Sequence, residues 1–347
     1  MADAHRYFPD GLPDDLLDAE DVEVLRALGQ PTLIRVPGAG TQAPRVISAL
    51  LHGDEVTGLQ AALRILRGRR TYPFDLYVLL GNVPAALAGA GFAHRYLDDQ
   101  EDFNRVWGLT EVDTPLRQAA QEILDRLRAV GLESLVDVHN NTGDNPFYAI
   151  LTRNRPEVVN LATLFTTTLL YWDLGAHTLM EALEDDCAAI AVECGLPGRP
   201  QSLAFALDAL RRYLGEPPLV TDRIVREYDL LGGLRKVVVA DDVRFRFGGA
   251  PGDDVELALD ADADVHNFVA IPPGHLLGRV RVDGTPPRMP LRATDPAGRD
   301  VTDEVFAIEG DALRTRIAAT PVMMTRTVEA ARKDCLFYLA DELGHLA

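Results

Sequence analysis

Two residues that can bind a metal stand three positions apart where an apolar run of the sequence ends. Residues 46–51 are apolar apart from one serine, and His52-Gly53-Asp54-Glu55 follows them directly. The next leucines and alanines recur at helical spacing, which predicts a buried strand, a tight turn and a helix. Because imidazole nitrogen and carboxylate oxygen both bind zinc, His52 and Glu55 can point at one cation. Such a pair also arises by chance, so the metal hypothesis needs support from other residues.

Two further predicted strands also end in residues that can bind a metal or move a proton. Residues 135–138 end at His139, and residues 188–192 end at Glu193. Open α/β sheets bind their ligands at the carboxyl ends of their strands, so these side chains are expected to meet there. Two histidines with one carboxylate form the ligand set of a catalytic zinc that keeps an open position for water.

Two acidic residues at these strand ends could support such a metal. Glu193 follows a buried run, and burial raises a carboxyl pKa towards the range of a general base that takes a proton from water and returns it to a leaving amine. The alternative is a strand-end glutamate that turns to solvent. Asp137 lies two residues before His139 and so faces the same side of the strand. It could accept the ring N–H of a zinc-bound histidine, or form a salt bridge elsewhere.

An irregular segment, residues 92–108, supplies positive charge. It contains Arg95 and Arg105, with Asn104 directly before the second arginine. A guanidinium offers two parallel donors to a carboxylate, and an adjacent amide adds another donor. Next to a zinc site, these residues would hold an anionic substrate in an otherwise acidic protein.

The elements that must position these residues alternate between short apolar strands and helices. We predict strands at residues 32–36, 46–51, 76–80, 135–138 and 188–192. We predict helices at residues 10–29, 55–67, 115–130, 157–169 and from the capping residue Ser202 to 214. This alternation predicts a doubly wound sheet covered by helices on both faces. After about residue 225, short β-like runs are divided by Gly, Pro and Asp, so we expect domains at 1–225 and 226–347.

Composition and charge argue against several classes of protein. The 347 residues carry 34 Lys and Arg against 53 Asp and Glu, a net charge of −19, which disfavours a nucleic-acid partner. No run is long and apolar enough for a membrane span, and the first residues lack the pattern of a signal peptide. Three cysteines are too few for a disulfide framework, so we expect a cytoplasmic protein. The oligomeric state stays open, and a homo-oligomer is compatible with the sequence.

Four motifs together resemble the succinylglutamate desuccinylase/aspartoacylase family in order and rough spacing. They are His52-Gly53-Asp54-Glu55, Asp102-Phe103-Asn104-Arg105, Asp137-Val138-His139-Asn140-Asn141-Thr142 and Val192-Glu193-Cys194-Gly195. The resemblance spans roughly residues 45–215. It implies a carboxypeptidase-like α/β fold, a doubly wound mixed sheet flanked by helices, with a smaller β-rich C-terminal domain. It also implies a zinc-dependent hydrolase that cleaves the amide bond of an N-acyl amino acid or a similar small amide.

Residue by residue, the resemblance implies one zinc ion per chain, bound by His52, Glu55 and His139. It implies that Glu193 acts as general base and acid. Arg95 would polarise the scissile carbonyl and stabilise the oxyanion, while Asn104 and Arg105 would hold a carboxylate of the amino-acid part. The expected substrate is therefore a small anionic N-acyl amino acid or a related amide.

The sequence departs from the family pattern at three places. Asp54 stands where an asparagine is usual, and the spacing from Arg95 to Arg105 is about two residues longer than typical. No Lys or Arg occurs between Arg155 and Arg199, where the aspartoacylase branch has a basic residue that grips the second carboxylate of its substrate. The identity of the acyl group therefore does not follow from the resemblance.

Two other functions remain compatible with these residues. A metallocarboxypeptidase could use the same metal and base, but it needs an open cleft, whereas we expect the β-rich domain to narrow the entrance. A non-catalytic relative could bind a metal or a small anion as a regulatory or scaffold protein. That relative is expected to lack a ligand or the base, and here all four residues are present.

Overall fold

We describe a computed structural model of the chain, in which residues 4–218, 223–282 and 287–344 are described. The chain divides into two compact units. The first comprises Met1–Asn140, Phe147–Leu169 and Gly175–Tyr228, and the second comprises Asn141–Pro146, Leu170–Leu174 and Asp229–Ala347. The domain boundary at residue 225 stays a prediction, because compactness does not show that either part folds alone.

The first unit is built on a mixed sheet. Its strands are β1 (Arg6–Phe8), β2 (Thr32–Val36), β3 (Gln42–Ala49), β4 (Phe74–Leu80), β5 (Ser134–His139), β6 (Tyr148–Leu151), β7 (Thr168–Tyr171, divided between the units) and β8 (Ala188–Glu193). From β1 to β6 the strand order is β1-β2-β4-β3-β5-β8-β6. The central pairs β4–β3, β3–β5 and β5–β8 are parallel, while β2–β4 and β8–β6 are antiparallel. The central strands are buried, as expected for strands covered by helices.

Eight helices accompany these strands in the described part of the first unit. They are α1 (Asp14–Leu17), α2 (Asp21–Leu28), α3 (Val56–Arg67), α4 (Val83–Leu87), α5 (Pro115–Ala129), α6 (Pro156–Ala162), α7 (Leu179–Leu183) and α8 (Pro200–Gly215). A short 3₁₀ turn covers Phe103–Arg105. Thr114 caps α5 by accepting a hydrogen bond from the backbone N–H of Arg117, and a proline follows it, as the sequence predicts.

The second unit is rich in strands, as predicted. They are β9 (Asp229–Val239), β10 (Phe245–Phe247), β11 (Leu257–Leu259), β12 (Leu276–Val280), β13 (Leu291–Thr294), β14 (Phe306–Glu309), β15 (Ala312–Thr315), β16 (Thr320–Val322) and β17 (Phe337–Glu342). Strand β9 pairs with β13 and β17, and β10-β11-β12-β15-β14 form a further sheet. Two short helices, α9 (Thr302–Val305) and α10 (Val328–Lys333), and a 3₁₀ turn at Ala263–His266 complete the described elements. The expected α/β fold class, a large mixed sheet with flanking helices and a further β-rich part, is confirmed.

Three local predictions were wrong. The single helix predicted over residues 10–29 is divided into α1 and α2, which residues 18–20 separate. The helix predicted over residues 157–169 ends at Ala162, and Thr168 begins β7, because a run of β-branched threonines favours a strand. Ser202 does not cap α8, which begins at Pro200 because proline suits the first helical position. The Ser202 hydroxyl instead donates to the carbonyl of Leu196 at 2.9 Å, inside the loop that follows Glu193. No helix in the described residues is both long and apolar enough to cross a membrane.

Candidate metal centre

Three parallel strands deliver their last residues to one edge of the sheet. In the register of the sheet, Ala49 of β3 lies beside Val138 of β5, and His139 of β5 lies beside Glu193 of β8. Neighbouring strands are about 4.8 Å apart, and side chains of register partners leave the sheet on the same side. The ends of β3, β5 and β8 therefore bring the candidate residues together, although His52 is far from His139 and Glu193 in sequence.

A constrained turn carries the chain from β3 into α3. Leu50 has a φ of 61°, a left-handed conformation that an aliphatic residue rarely adopts. Its carbonyl accepts a hydrogen bond from the backbone N–H of Asn82 at 2.6 Å. Gly53 packs so closely against α4 that an added Cβ would lie 2.5 Å from the backbone nitrogen of Ala86, so only glycine fits there. This turn places His52 and Glu55 at the start of α3.

His52, Glu55 and His139 form a buried cluster, called the cage below. Glu55 Oε1 lies 2.6 Å from His52 Nδ1, and Glu55 Oε2 lies 2.7 Å from His139 Nδ1. One ligand atom from each residue can be chosen so that all three lie within 4.8 Å of one another. The three side chains are at most 6 % exposed. The cage could therefore hold a metal ion.

A second carboxylate contacts the outer nitrogen of each imidazole. Asp102 Oδ1 lies 3.0 Å from His52 Nε2, and Asp137 Oδ2 lies 2.8 Å from His139 Nε2. Metal-binding histidines usually have such an outer carboxylate, which fixes the ring and its tautomer. The suggested contact of Asp137 with His139 is present, and its counterpart on His52 is Asp102.

The count of protons shows that the cage suits a cation. All four imidazole nitrogens face carboxylate oxygens, which only accept hydrogen bonds when ionised, and a neutral imidazole has a single N–H. Without a metal, both buried rings must carry a second proton, with their centroids 5.2 Å apart. A dication facing the two Nδ1 atoms and Glu55 would replace those inner protons and leave both rings neutral. The donor set and its outer contacts therefore fit a divalent metal.

The electrostatics of the cage favour positive charge. Burial opposes ionisation of Glu55, but the two imidazoles outweigh it and hold the Glu55 pKa well below its usual range. Burial also opposes charging of His139, yet Asp137 and Glu55 outweigh it and raise the His139 pKa well above its usual value. Three carboxylates, those of Glu55, Asp102 and Asp137, thus contact the two imidazoles and favour positive charge in the cage.

Glu193 lies beside the cage with a raised pKa. Burial raises the pKa of its carboxyl to about 7 and the charge of Glu55 adds to the rise, while His139, His52 and Arg95 oppose it. The residue is 7 % exposed. Its carboxyl can therefore lose and regain a proton near neutral pH, as a general base and acid must.

Arg95, predicted to be catalytic, and Asn104 and Arg105, predicted to bind substrate, also lie near the cage. Arg95 donates from Nε to Asp102 Oδ2 at 3.2 Å, and its Nη1 lies 3.6 Å from Glu55 Oε1. Asn104 is buried, with Nδ2 3.3 Å from His139 Nε2 and Oδ1 accepting the N–H of Leu179 at 3.0 Å. Arg105 is half-buried and donates to the carbonyl of Asn104 at 2.9 Å. Part of the Asn104 amide is thus already used in a hydrogen bond to the first residue of α7.

Asp102 and Asn140 are site residues to which sequence reasoning assigned no role. Asn140 donates its backbone N–H to Glu55 Oε2 at 3.1 Å, and its side-chain Oδ1 accepts the N–H of Thr57 at 3.1 Å. Its Nδ2 donates to the carbonyl of Gly195 at 2.7 Å. Asn140 therefore connects the turn of Glu55 with the loop after Glu193. Both residues lie inside the motifs listed above, within two positions of residues that had been assigned roles.

Comparison with known proteins gives matches among solved structures alone. No family model matches the chain, and no curated protein does. The succinylglutamate desuccinylase from Chromobacterium violaceum is 16 % identical in sequence and superposes with a TM-score of 0.56. The match covers 91 % of this chain and 89 % of the desuccinylase chain. The succinylglutamate desuccinylase/aspartoacylase from Rhodobacter sphaeroides is 13 % identical, with 90 % and 88 % covered and a TM-score of 0.56.

A third structure with this fold is a protein of a different name. It is the product-bound ectoine utilization protein EutE (DoeB) from Ruegeria pomeroyi, which is 18 % identical and has a TM-score of 0.53. The match covers 84 % of this chain and 82 % of the EutE chain. Many of the structural neighbours are succinylglutamate desuccinylase/aspartoacylase family proteins. At these identities the likeness shows the fold, and the fold expected from the four motifs is confirmed.

Proposed function

We propose that this protein is a zinc-dependent hydrolase that cleaves the amide bond of an N-acyl amino acid or a similar small amide. The observation that carries the proposal is the cage of His52, Glu55 and His139, with Glu193 at the adjacent strand end. The deacylase-like fold shared with the desuccinylase and aspartoacylase structures supports it.

The proposed chemistry divides between the metal and the protein. Zinc held by the cage would act as a Lewis acid on the substrate carbonyl and lower the pKa of water. Glu193 would take a proton from that water and return it to the leaving nitrogen. Its raised pKa suits both steps, because the carboxylate must gain a proton and lose it again in one turnover.

Two arginines supply the positive charge that an anionic substrate requires. The Arg95 guanidinium lies next to Glu55, so a carbonyl oxygen bound at the cage would be within its reach as negative charge develops there. Arg105 and Asn104 would hold the carboxylate of the amino-acid part. Arg95 is therefore expected to affect turnover, and Arg105 to affect substrate binding.

The substrate is proposed as a class of compounds. The structural neighbours include a succinylglutamate desuccinylase and a succinylglutamate desuccinylase/aspartoacylase, which supports a small acylated amino acid. The acyl group stays open, because the sequence between Arg155 and Arg199 offers no cation for a second carboxylate. We place the enzyme in the cytoplasm, an assignment supported by three free, buried cysteines.

One experiment tests the proposal and its two alternatives. Protein purified without chelator is analysed for metal and then assayed on acetyl, succinyl and neutral acyl amino acids and on short peptides, before and after zinc is removed and restored. We expect about one zinc per chain and zinc-dependent hydrolysis of N-acyl amino acids. Preferred cleavage of peptides would favour a carboxypeptidase. Zinc well below one per chain, with no hydrolysis after zinc is added, would favour the non-catalytic relative.

A further inference from the structure

A second concave site lies at the C-terminal ends of α3 and α8. It has a volume of about 180 Å³, and its lining includes Arg64, Arg70, Tyr72, Leu207, Arg211 and Leu214. Arg64, the first residue of α3 that lines the cavity, lies nine residues beyond Glu55, so about 13 Å of helix separates this cavity from the cage. The arginine cavity, as we name it, is therefore distinct from the candidate metal centre.

The arginine cavity holds positive charge that the protein does not neutralise. Arg64 and Arg70 are exposed, and neither side chain forms a hydrogen bond or an ion pair within the described residues. Arg211 has an exposed contact with Asp208 at 3.6 Å, which stabilises little. In a chain with a net charge of −19, three arginines that line one cavity are therefore a local exception.

The dipole of a helix does not account for this arrangement. An arginine in the last turn, such as Arg64 in α3, offsets the negative end of its own helix. Arg70 lies beyond the end of α3, outside any helix, yet it also lines the cavity. Each helix end contributes only about half a negative charge, so the three arginines leave a net positive site.

The rest of the lining is apolar or aromatic. Leu207 and Leu214 are buried, and Tyr72 is half-buried. The Tyr72 ring stacks on Phe74 with centroids 5.5 Å apart, and burial raises the pKa of its hydroxyl while the charge of Arg70 opposes the rise. A cavity of about 150 Å³ in another protein accepts benzene, so about 180 Å³ admits one ring-sized group.

We propose that the arginine cavity binds a small organic carboxylate that carries an aromatic ring or a branched aliphatic group of similar size. The carboxylate would meet the guanidinium groups of Arg64 and Arg70, whose forked donors match its two oxygens. The apolar group would pack on Leu207 and Leu214. The proposal depends on neither zinc nor hydrolysis, so it can fail or succeed independently of the proposed function.

The test compares three probes on the full-length protein at constant ionic strength. Benzoate has the ring and the charge, benzamide has the ring alone, and inorganic phosphate has charge alone. Isothermal titration measures affinity, and hydrogen exchange locates binding. We expect benzoate to bind more tightly than both other probes and to slow exchange in residues 64–72 and 207–215. Stronger binding of benzamide or phosphate, or protection confined to residues 52–58 and 139–141, contradicts the proposal.

A matched pair of double variants controls for net charge. We expect R64Q/R70Q to weaken benzoate binding about tenfold or more, because charge-assisted hydrogen bonds are lost. R199Q/R292Q removes the same charge from two exposed arginines that also have no side-chain hydrogen bond or ion pair in the described residues, and it should bind benzoate as the parent does. Equal weakening in both double variants, or in neither, overturns the proposal.

Discussion

Asp102 holds the imidazole of His52 from the side opposite Glu55. Asp102 Oδ1 lies 3.0 Å from Nε2 of the ring, and Glu55 Oε1 lies 2.6 Å from Nδ1. His139 repeats the arrangement, with Asp137 at its outer nitrogen and the other oxygen of Glu55 at its inner nitrogen. Each imidazole thus lies between the Glu55 carboxylate, which contacts both rings, and a second carboxylate that contacts that ring alone. The orientation of Nδ1 towards the centre of the cage follows from these outer contacts.

The first prediction concerns those outer carboxylates. Asp102→Asn keeps the size of the side chain but removes the charge that stabilises the ring proton when a metal occupies the inner nitrogen. We expect metal affinity to fall about 10- to 100-fold, and Asp137→Asn to have a similar effect. Competition with a chromophoric chelator measures the change.

An exposed acidic residue of the same loop provides the control. Asp98→Asn removes one negative charge at an exposed position, so it reports the effect of net charge alone. Its metal affinity should remain close to that of the parent protein. If Asp102→Asn and Asp98→Asn retain metal equally well, Asp102 does not orient a ligand.

The second prediction separates metal binding from proton transfer. Glu193→Gln preserves the shape of the side chain but cannot accept the proton of water. We expect kcat to fall about 10²- to 10⁴-fold while about one metal per chain is retained. Steady-state kinetics and metal analysis of the same sample provide both values. A fully active variant removes Glu193 from the mechanism, and loss of the metal would make it a ligand instead.

The third prediction concerns pH. A general base works only when ionised, so kcat/KM should fall as pH drops through the Glu193 pKa, which burial raises to about 7 in the absence of metal. A bound dication favours the ionised carboxylate and so lowers the Glu193 pKa. In the zinc enzyme, kcat/KM should therefore fall at a lower pH than in this metal-free reference. Arg95 also lowers this pKa. Arg95→Gln should therefore move the fall to higher pH and reduce kcat about 10²- to 10³-fold.

A second arginine gives the matched comparison for that prediction. Arg105→Gln removes the same charge near Asp102, but Arg95, and not Arg105, is one of the principal causes of the Glu193 pKa shift. We expect Arg105→Gln to raise KM. The pH at which kcat/KM falls should stay the same as in the parent protein. An identical pH shift in both variants would show that net charge, and not the position of Arg95, sets the pKa.

The central strands were predictable from sequence because their apolar runs end abruptly in polar residues. His139 and Glu193 each terminate such a run, and parallel pairing of β5 with β8 follows from the intervening helices. Asp102 and His52 are 50 positions apart in the sequence. Asp102 lies in an irregular loop, where no periodicity of the sequence indicates which way a side chain points. The helix predicted over residues 157–169 extended too far, because apolar spacing alone does not separate a short helix from a following strand.

The last prediction concerns Asn140, whose three hydrogen bonds only the folded structure reveals. Asn140→Ala leaves the buried N–H of Thr57 and the carbonyl of Gly195 without their partner. We expect the free energy of unfolding to fall by about 2–4 kcal/mol, measured by urea denaturation. Because Gly195 follows Glu193 closely, displacement of that loop should also reduce kcat about 100-fold, with less effect on KM.

Asn160 provides a matched control for the loss of hydrogen bonds in this last prediction. Its buried side-chain amide donates to the carbonyl of Arg223 at 2.9 Å and accepts the N–H of Val225 at 3.0 Å. Asn160→Ala should therefore cost similar stability while kcat stays close to that of the parent. Equal loss of kcat in the two variants would mean that Asn140 affects activity only through stability. A selective loss in Asn140→Ala would show that this residue positions the base relative to the cage.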